Sequence, residues 1–227
     1  MRNEMMHRPV LKDEILELVR NRQKQMDGPL GEVQQEAYDN DVPIIPNETV
    51  SFLKFFLKQI KAKEVLEIGT AIGFSASLMA QTMGKESHVT TIDRCDVMIR
   101  KAKANFEKLG LSEQVTLLEG DAKDVLPTLN GPYDFIFMDS AKSKYIEFLP
   151  ECLRVLKKDG VIMIDDVFQA GTVMHDIKEI PKSQRTIYRK LNKLYDTVLS
   201  HSDLTVTILP LGDGVLMISK DVEEIEL

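Results

Sequence analysis

Apolar positions follow two rhythms along this chain. Between Leu11 and Lys24 they fall at Leu11, Ile15, Leu16, Leu18 and Val19, a spacing that predicts a helix. "DGPLGE" breaks that run, and Leu30 to Asn40 reads as a second helix. "DVPIIP" is rigid and extended, because each proline restricts the residue before it. Asn47 is expected to cap a third helix running to Ile60, with Val50, Phe52, Leu53, Phe56 and Leu57 on its buried side.

Beyond Ile60 the rhythm changes. Short apolar runs ending in polar or acidic residues predict strands at Glu64–Ile68, Val89–Asp93, Val115–Glu119, Phe135–Asp139 and Val161–Asp165. Helices are expected between them, at Phe74–Thr82, Asp96–Leu109, Ala122–Leu126 and Lys144–Leu156. Strand alternating with helix implies a parallel sheet covered on both faces. A charged helix, Lys182–Leu199, precedes two more strands, Thr205–Leu209 and Val215–Ser219. These are joined through "PLGDG", whose turn chemistry reads as a hairpin. The expected fold is therefore α/β, Rossmann-like and doubly wound. Its sheet is mostly parallel and seven-stranded, with an antiparallel edge hairpin. Residues 1–42 are read as an N-terminal helical extension and 43–227 as the main domain.

Composition narrows the setting. A hydrophobic fraction of 43% and a charged fraction of 29% are those of an ordinary soluble globular protein. No stretch approaches the ~20 apolar residues of a membrane span, and the first residues lack a signal peptide's apolar segment. Cys95 and Cys152 do not form a C-x-x-C pair, which argues against a cysteine-based zinc or redox site. The expected location is cytoplasmic, with no membrane partner. The net charge of -7 excludes a wholly basic nucleic-acid binder but permits a local basic patch.

The stretch "VLEIGTAIGFSA" places an acid, Glu67, and two glycines, Gly69 and Gly73, between a strand and a helix. A dinucleotide fingerprint needs three glycines there. A pyrophosphate beside Glu67 would be repelled by about 4 kcal/mol at ~4 Å and an effective dielectric of ~20. A cationic ligand would be attracted. Asp93 ends the second strand, where an acid accepts hydrogen bonds from ribose hydroxyls. "GDA" puts Asp121 and Ala122 at the end of the third strand, where an adenine edge can be met. Adenosine plus an ammonium group and no phosphate describes S-adenosylmethionine. Its carboxylate would lie at the N-terminus of the Phe74 helix, with Ser75. The competing reading is a turn whose glycines serve packing alone.

"FIFMDSAKSKY" and "VIMIDDVFQAG" bring Asp139, Asp165 and Asp166 to one rim. Crowded carboxylates repel, or one takes up a proton. A hard divalent cation, Mg²⁺ or Mn²⁺, resolves the conflict with oxygen-only ligands. It also has a use: bringing a phenol-like hydroxyl from pKa ~10 to ~7 takes roughly 4 kcal/mol, within reach of a bound cation. Lys142 follows closely, as a base or as a partner for the oxyanion. Helix capping by the aspartates and a solvated Lys142 are the plain alternatives.

At these residues the chain resembles the class I S-adenosylmethionine-dependent O-methyltransferases. It is most similar to their cation-dependent branch, which includes catechol and caffeoyl-coenzyme A O-methyltransferases. The motifs are "LEIGTAIGFSA", "TIDR", "GDA", "FMDSAKSKY" and "IDDV". The resemblance implies that Glu67, Gly69, Gly73 and Ser75 serve the methionyl end, Asp93 the ribose, and Asp121 with Ala122 the adenine. It further implies Asp139, Asp165 and Asp166 as metal ligands, Asp139 also bordering the cofactor, and Lys142 with Asp139 at the chemistry. Asp166 departs from the branch, which usually has Asn there. Within the branch, "NDVPIIPNETVSFL", "GTAIGFSA", "DDVFQAG" and "IPKSQRTIYRKLNKLYDTVLSH" resemble bacterial enzymes that methylate 5-hydroxyuridine at the wobble position of tRNA. The last stretch carries Lys182, Arg185, Arg189, Lys190 and Lys193, a run that phosphates bind. A solvated helix face carries the same charges. Tyr188 and Tyr195 would stack on a base or pack on the sheet. The likeness also implies a homodimer. Two other readings stay open: a small catechol-like phenol as acceptor, and a binding module without turnover. The apolar N-terminal positions Leu11, Ile15, Leu18 and Val19 are expected to cover the site's mouth or a partner subunit.

Overall fold

The structure is a computed structural model and describes residues 12–225 and 227. Leu11 and the residues before it lie outside the described part. Three helices come first: α1 (Asp13–Arg22), α2 (Gly28–Asp39) and α3 (Asn47–Ile60). Then strand and helix alternate through β1 (Glu64–Ile68), α4 (Phe74–Met83), β2 (His88–Asp93), α5 (Asp96–Lys108), β3 (Val115–Glu119) and α6 (Ala122–Val125). They continue through β4 (Tyr133–Met138), α7 (Tyr145–Val155), β5 (Leu156–Ile164), α8 (Arg185–Leu199), β6 (Leu204–Leu209) and β7 (Val215–Lys220). The seven strands lie in the order β3-β2-β1-β4-β5-β7-β6. β1 to β5 are parallel, while β7 runs antiparallel to both β5 and β6. The doubly wound sheet with an antiparallel edge hairpin is thus the observed fold.

Strand β4 is apolar on both faces over residues 135–138, and successive residues join different layers. Phe135 and Phe137 of β4 face the layer that holds α2, α3, α4 and α5. Ile136 and Met138 face the layer of α7 and α8. All four are completely buried, at about 1.5–3 kcal/mol of stabilisation for each such side chain. α2 contributes Leu30, Val33 and Ala37 to the first of these layers, so α2 shares the core of the sheet.

Several local expectations need correcting. Asn47 is the first residue of α3, not its cap; Pro46 precedes it, and no side chain caps the helix. The Asn47 amide instead accepts from Gln34 at 2.8 Å and donates to Gln25 at 2.7 Å. β5 begins at Leu156, which the periodicity assigned to the preceding helix; it pairs with Tyr133 before the register shifts toward Phe135 and Val161. Asp159, at φ 60, and Gly160 mark that irregularity. Lys182–Gln184 is a single 3₁₀ turn ahead of α8. On α1 only Leu16 is buried; Ile15 and Leu18 are 46% and 53% exposed. The polar Arg20 locates this helix instead, with a bidentate pair to the buried Glu48 at 2.8 and 2.9 Å.

The chain leaves β1 at Gly69, at φ +105, where a Cβ would stand 1.9 Å from the Asp139 carbonyl oxygen. Both the dihedral and the contact demand glycine. Gly69→Ala is expected to lower stability by about 2 kcal/mol or more, read as a lower midpoint in urea unfolding.

Candidate active site

The order of strands reverses between β1 and β4, and a crevice opens beyond their carboxyl ends, as open α/β sheets require. A cavity of about 1080 Å³ fills it. Of the predicted site residues, Gly69, Ser75, Asp93, Asp121, Ala122, Asp139, Lys142, Asp165 and Asp166 line this one space. Glu67 and Gly73 do not, and neither do Lys182, Arg185, Arg189 and Lys190.

Gly73 stands where a Cβ would meet the Phe106 ring at 2.6 Å, so its role is to let α4 pack on α5. Glu67 is wholly buried in β1. Its register partner on β2 is Thr91, whose hydroxyl donates to the Glu67 Oε2 at 2.5 Å and lies 2.6 Å from the Thr70 hydroxyl. Loss of water pushes the Glu67 pKa up to about 8, against the pull of Ser75 and Thr91, and the charges of Asp139 and Asp93 add to the rise. The expectation of an ordinary carboxylate at the turn therefore changes. Burial favours the protonated form of this acid.

Asp93 closes the first turn on itself. Its Oδ2 accepts from the Ala71 N–H at 2.9 Å and its Oδ1 from the Cys95 N–H at 2.8 Å. Asp121 caps α6 by accepting from the Lys123 N–H at 3.0 Å and pairs with Arg94 at 2.7 Å. The Lys123 N–H and then the Arg94 guanidinium hold its pKa below the usual range.

The acidic rim is more elaborate than the motifs suggest. Desolvation raises the Asp139 pKa to about 7, with the charge of Asp166 adding and Lys142 opposing. Asp165 is buried and is pushed well up by the loss of water and by the charges of Asp166 and Asp139. Its Oδ1 accepts from the Asp166 N–H at 2.8 Å. The Asp139 carboxylate accepts no hydrogen bond among the described residues. Asp166, at φ 59, turns its carboxylate to Lys142 at 3.2 Å. The three aspartates share a rim without closing around one point: among the described residues, no group of three or more His, Cys, Asp or Glu side chains is arranged to hold an ion. Two residues the motif reading missed complete the rim. Asp213 pairs with Lys142 at 3.1 Å. The Tyr145 hydroxyl, beneath the rim, donates to the Ser140 carbonyl at 3.2 Å and accepts from its N–H at 3.3 Å. Thr91 had a signal in the sequence, a threonine beside a buried acid once the strands are registered. Asp213 had none beyond its turn.

The N-terminal residues also contribute to the cavity. Arg20, Asn21, Gln25, Tyr38 and Asn47 line one part of it, beside the apolar run 42–46; of the apolar α1 positions expected to cover the mouth or a partner subunit, none lines the cavity. Gln34 donates to both Asn47 and Tyr38, and Asn47 donates to Gln25, which donates to the Arg20 carbonyl at 2.7 Å.

Comparison with known proteins follows the same lines. The O-methyltransferase family profile matches residues 23–221. The chain belongs to the O-methyltransferase family. Catechol O-methyltransferase of Mycobacterium tuberculosis is 31% identical over 141 residues, which span 60% of this chain and 64% of that one. Caffeoyl-CoA O-methyltransferase of Stellaria longipes is 27% identical over 169 residues, 72% of this chain and 70% of that one. The SAH-bound Podospora anserina methyltransferase PaMTH1 superposes with a TM-score of 0.83 at 24% identity, over 92% of this chain and 94% of its own. At that identity the likeness concerns the fold. No helix among the described residues is long and apolar enough to cross a membrane.

The Glu67 pKa makes a prediction about this family member's stability. Its proton is held more tightly in the folded state, at about 8, than at the ordinary 4.5. The associated stabilisation is complete below the lower value and is lost as pH rises through the higher one. Glu67→Gln removes this titration. Thermal melts between about pH 5 and pH 8.5 should therefore show a shallower decline in the variant than in the wild type; equal slopes would contradict the assignment.

Proposed function

We propose that this chain transfers a methyl group from S-adenosylmethionine to a hydroxyl oxygen. One observation carries the reading: a single cavity joins the first turn, Asp93 and Asp121 to the rim of Asp139, Lys142, Asp165 and Asp166. At the donor end, Asp93 keeps lone pairs for ribose hydroxyls after accepting two N–H groups. Ala122 and Phe148 offer apolar wall for adenine. The N-terminus of α4, beside Ser75, suits the donor's carboxylate. A cationic donor would also favour the ionised form of Glu67.

The family resemblance implies a divalent cation at the rim; the three aspartates do not close around one point as they stand, but their oxygen-only donors are of the kind such a cation takes. Asp139 and Asp165 offer only oxygens, and each gains from losing its neighbour's repulsion. They would hold Mg²⁺ or Mn²⁺, with Asp166 as a third source of oxygen. When bound, such a cation acts as a Lewis acid that makes a phenol-like hydroxyl more acidic. The Lys142 ammonium, paired with Asp166 and Asp213, steadies the acceptor's oxyanion while the acceptor's proton passes to water or to a rim carboxylate; to act as the base itself, Lys142 would first give its own proton to one of them. The acceptor oxygen forms its bond to the methyl carbon as the carbon–sulfur bond breaks, leaving S-adenosylhomocysteine.

The acceptor we propose is 5-hydroxyuridine at the wobble position of tRNA, converted to 5-methoxyuridine. α8 supports this, because it packs on the Lys142–Lys144 turn that borders the cavity. Lys182, Arg189 and Lys193 are exposed and make no ion pair among the described residues. Two members of the expected basic set are engaged internally. Lys190 pairs with Glu147, and Arg185 donates to the carbonyls of Ile180 and Lys178. Tyr188 and Tyr195 donate their hydroxyls to the His175 and Val167 carbonyls. The polar side chains Gln25, Tyr38 and Asn47 in the lining also suit the edge of a pyrimidine. A catechol-like phenol is the second reading, favoured by the names of the two relatives.

Asp139→Ala should reduce methyl transfer by about 10²-fold or more while calorimetry still detects donor binding. Full activity in the variant would remove the rim from the chemistry. Nucleosides from cells lacking the protein, analysed by mass spectrometry, should accumulate 5-hydroxyuridine and lose 5-methoxyuridine. Unchanged nucleosides, with catechol methylation by the pure protein, would favour the second reading.

A further inference from the structure

Asp213 lies on the turn between β6 and β7, far along the chain from Lys142. Its side chain is 3% exposed, yet it is a carboxylate. Burial raises its pKa and the Lys142 ammonium opposes the rise. Every acceptor it has is engaged. Oδ2 takes the Lys142 ammonium at 3.1 Å, Oδ1 the Ala170 N–H at 2.7 Å, and the backbone carbonyl the Phe168 N–H at 2.8 Å. The turn itself is held tightly. A Cβ on Gly214 would meet the Phe168 ring at 2.4 Å, and one on Gly212 would come within 3.3 Å of Pro46.

Lys142 therefore has two anionic partners of different kinds. Asp166, 36% exposed, lies on the rim; Asp213 is buried behind it. A flexible lysine with one exposed partner samples many positions, whereas a second, rigid partner fixes the ammonium. Lys142 is itself only 12% exposed, so removing the charge of Asp213 leaves the ammonium with a single counter-ion in a poorly hydrated place.

We propose that Asp213 is a positioning residue for Lys142. It holds the ammonium at the cavity wall and ties the loop after β5 to the same point, so that lysine and acidic rim keep one geometry. This rests on the reading that the Lys142 ammonium steadies the acceptor's oxyanion. A purely structural alternative is that Asp213 only clamps the 166–171 loop through the Ala170 N–H.

Asp213→Asn separates the two, because asparagine keeps an oxygen for the Ala170 N–H and loses the charge that holds Lys142. Hydrogen exchange should show residues 166–171 protected as in the wild type and the 140–145 turn exchanging faster. With the acceptor the wild type methylates, kcat should fall by about 10²-fold, while KM for S-adenosylmethionine stays within about twofold. Asp213→Ala should loosen both segments. Wild-type kcat in Asp213→Asn, unchanged exchange at 140–145, or loosening confined to 166–171 would each overturn the proposal. If the wild type methylates neither 5-hydroxyuridine tRNA nor a catechol, the acceptor reading fails, and exchange at 140–145 alone decides for or against Asp213.

Discussion

Where four of the five parallel strands end, the residue just beyond still donates its N–H to the neighbouring strand. Gly69 bonds to Ile92, Asp139 to Ile68, Asp165 to Met138 and Gly120 to Asp93, at 2.8–3.0 Å. This continuation of the ladder dictates where the acids stand. An apolar strand buried on both faces has no tolerance for register slip, since a one-residue shift would turn Phe135 or Ile136 to the wrong layer. Once that packing is set, Asp139 and Asp165 are carried to adjacent positions on one rim, whatever their mutual repulsion. Hydrophobic burial supplies the force, and the charged groups accept the resulting neighbourhood.

The charge arrangement follows from that constraint. Asp139, Asp165, Asp166 and Asp213 surround one lysine, so the negative charge exceeds what Lys142 can balance. Desolvation raises the pKa of Asp139 and Asp165, which is the protein's own partial answer. The donor end differs. Asp93 and Asp121 satisfy their carboxylates with backbone N–H groups and Arg94, so they organise their turns in the absence of any ligand.

The sheet, its order of elements and the antiparallel edge could be read from periodicity because both depend on local alternation and on turn residues. Site residues carried by strand ends were legible for the same reason: the end of an apolar run announces the rim. What sequence could not convey was burial. Glu67 looks like a surface acid at a turn, and only the pairing of β1 with β2 shows it facing Thr91 inside the sheet. Asp213 sits in "PLGDG", where aspartate is ordinary turn chemistry; its partner lies on another loop, and nothing local encodes that meeting. Asn47 misled for a related reason. Its residue type fits a cap, but tertiary partners on α2 and at Gln25 claimed its amide.

The amide chain through Asn47 and Gln25 sets a direction. Gln34 gives to Asn47, Asn47 to Gln25, and Gln25 to the Arg20 carbonyl. Turning over the Asn47 or the Gln25 amide would set nitrogen against nitrogen on one side and oxygen against oxygen on the other. This part of the lining is therefore polar but stiff: it shows a visitor a fixed sequence of donors and acceptors, and cannot reverse them one at a time to suit a different guest.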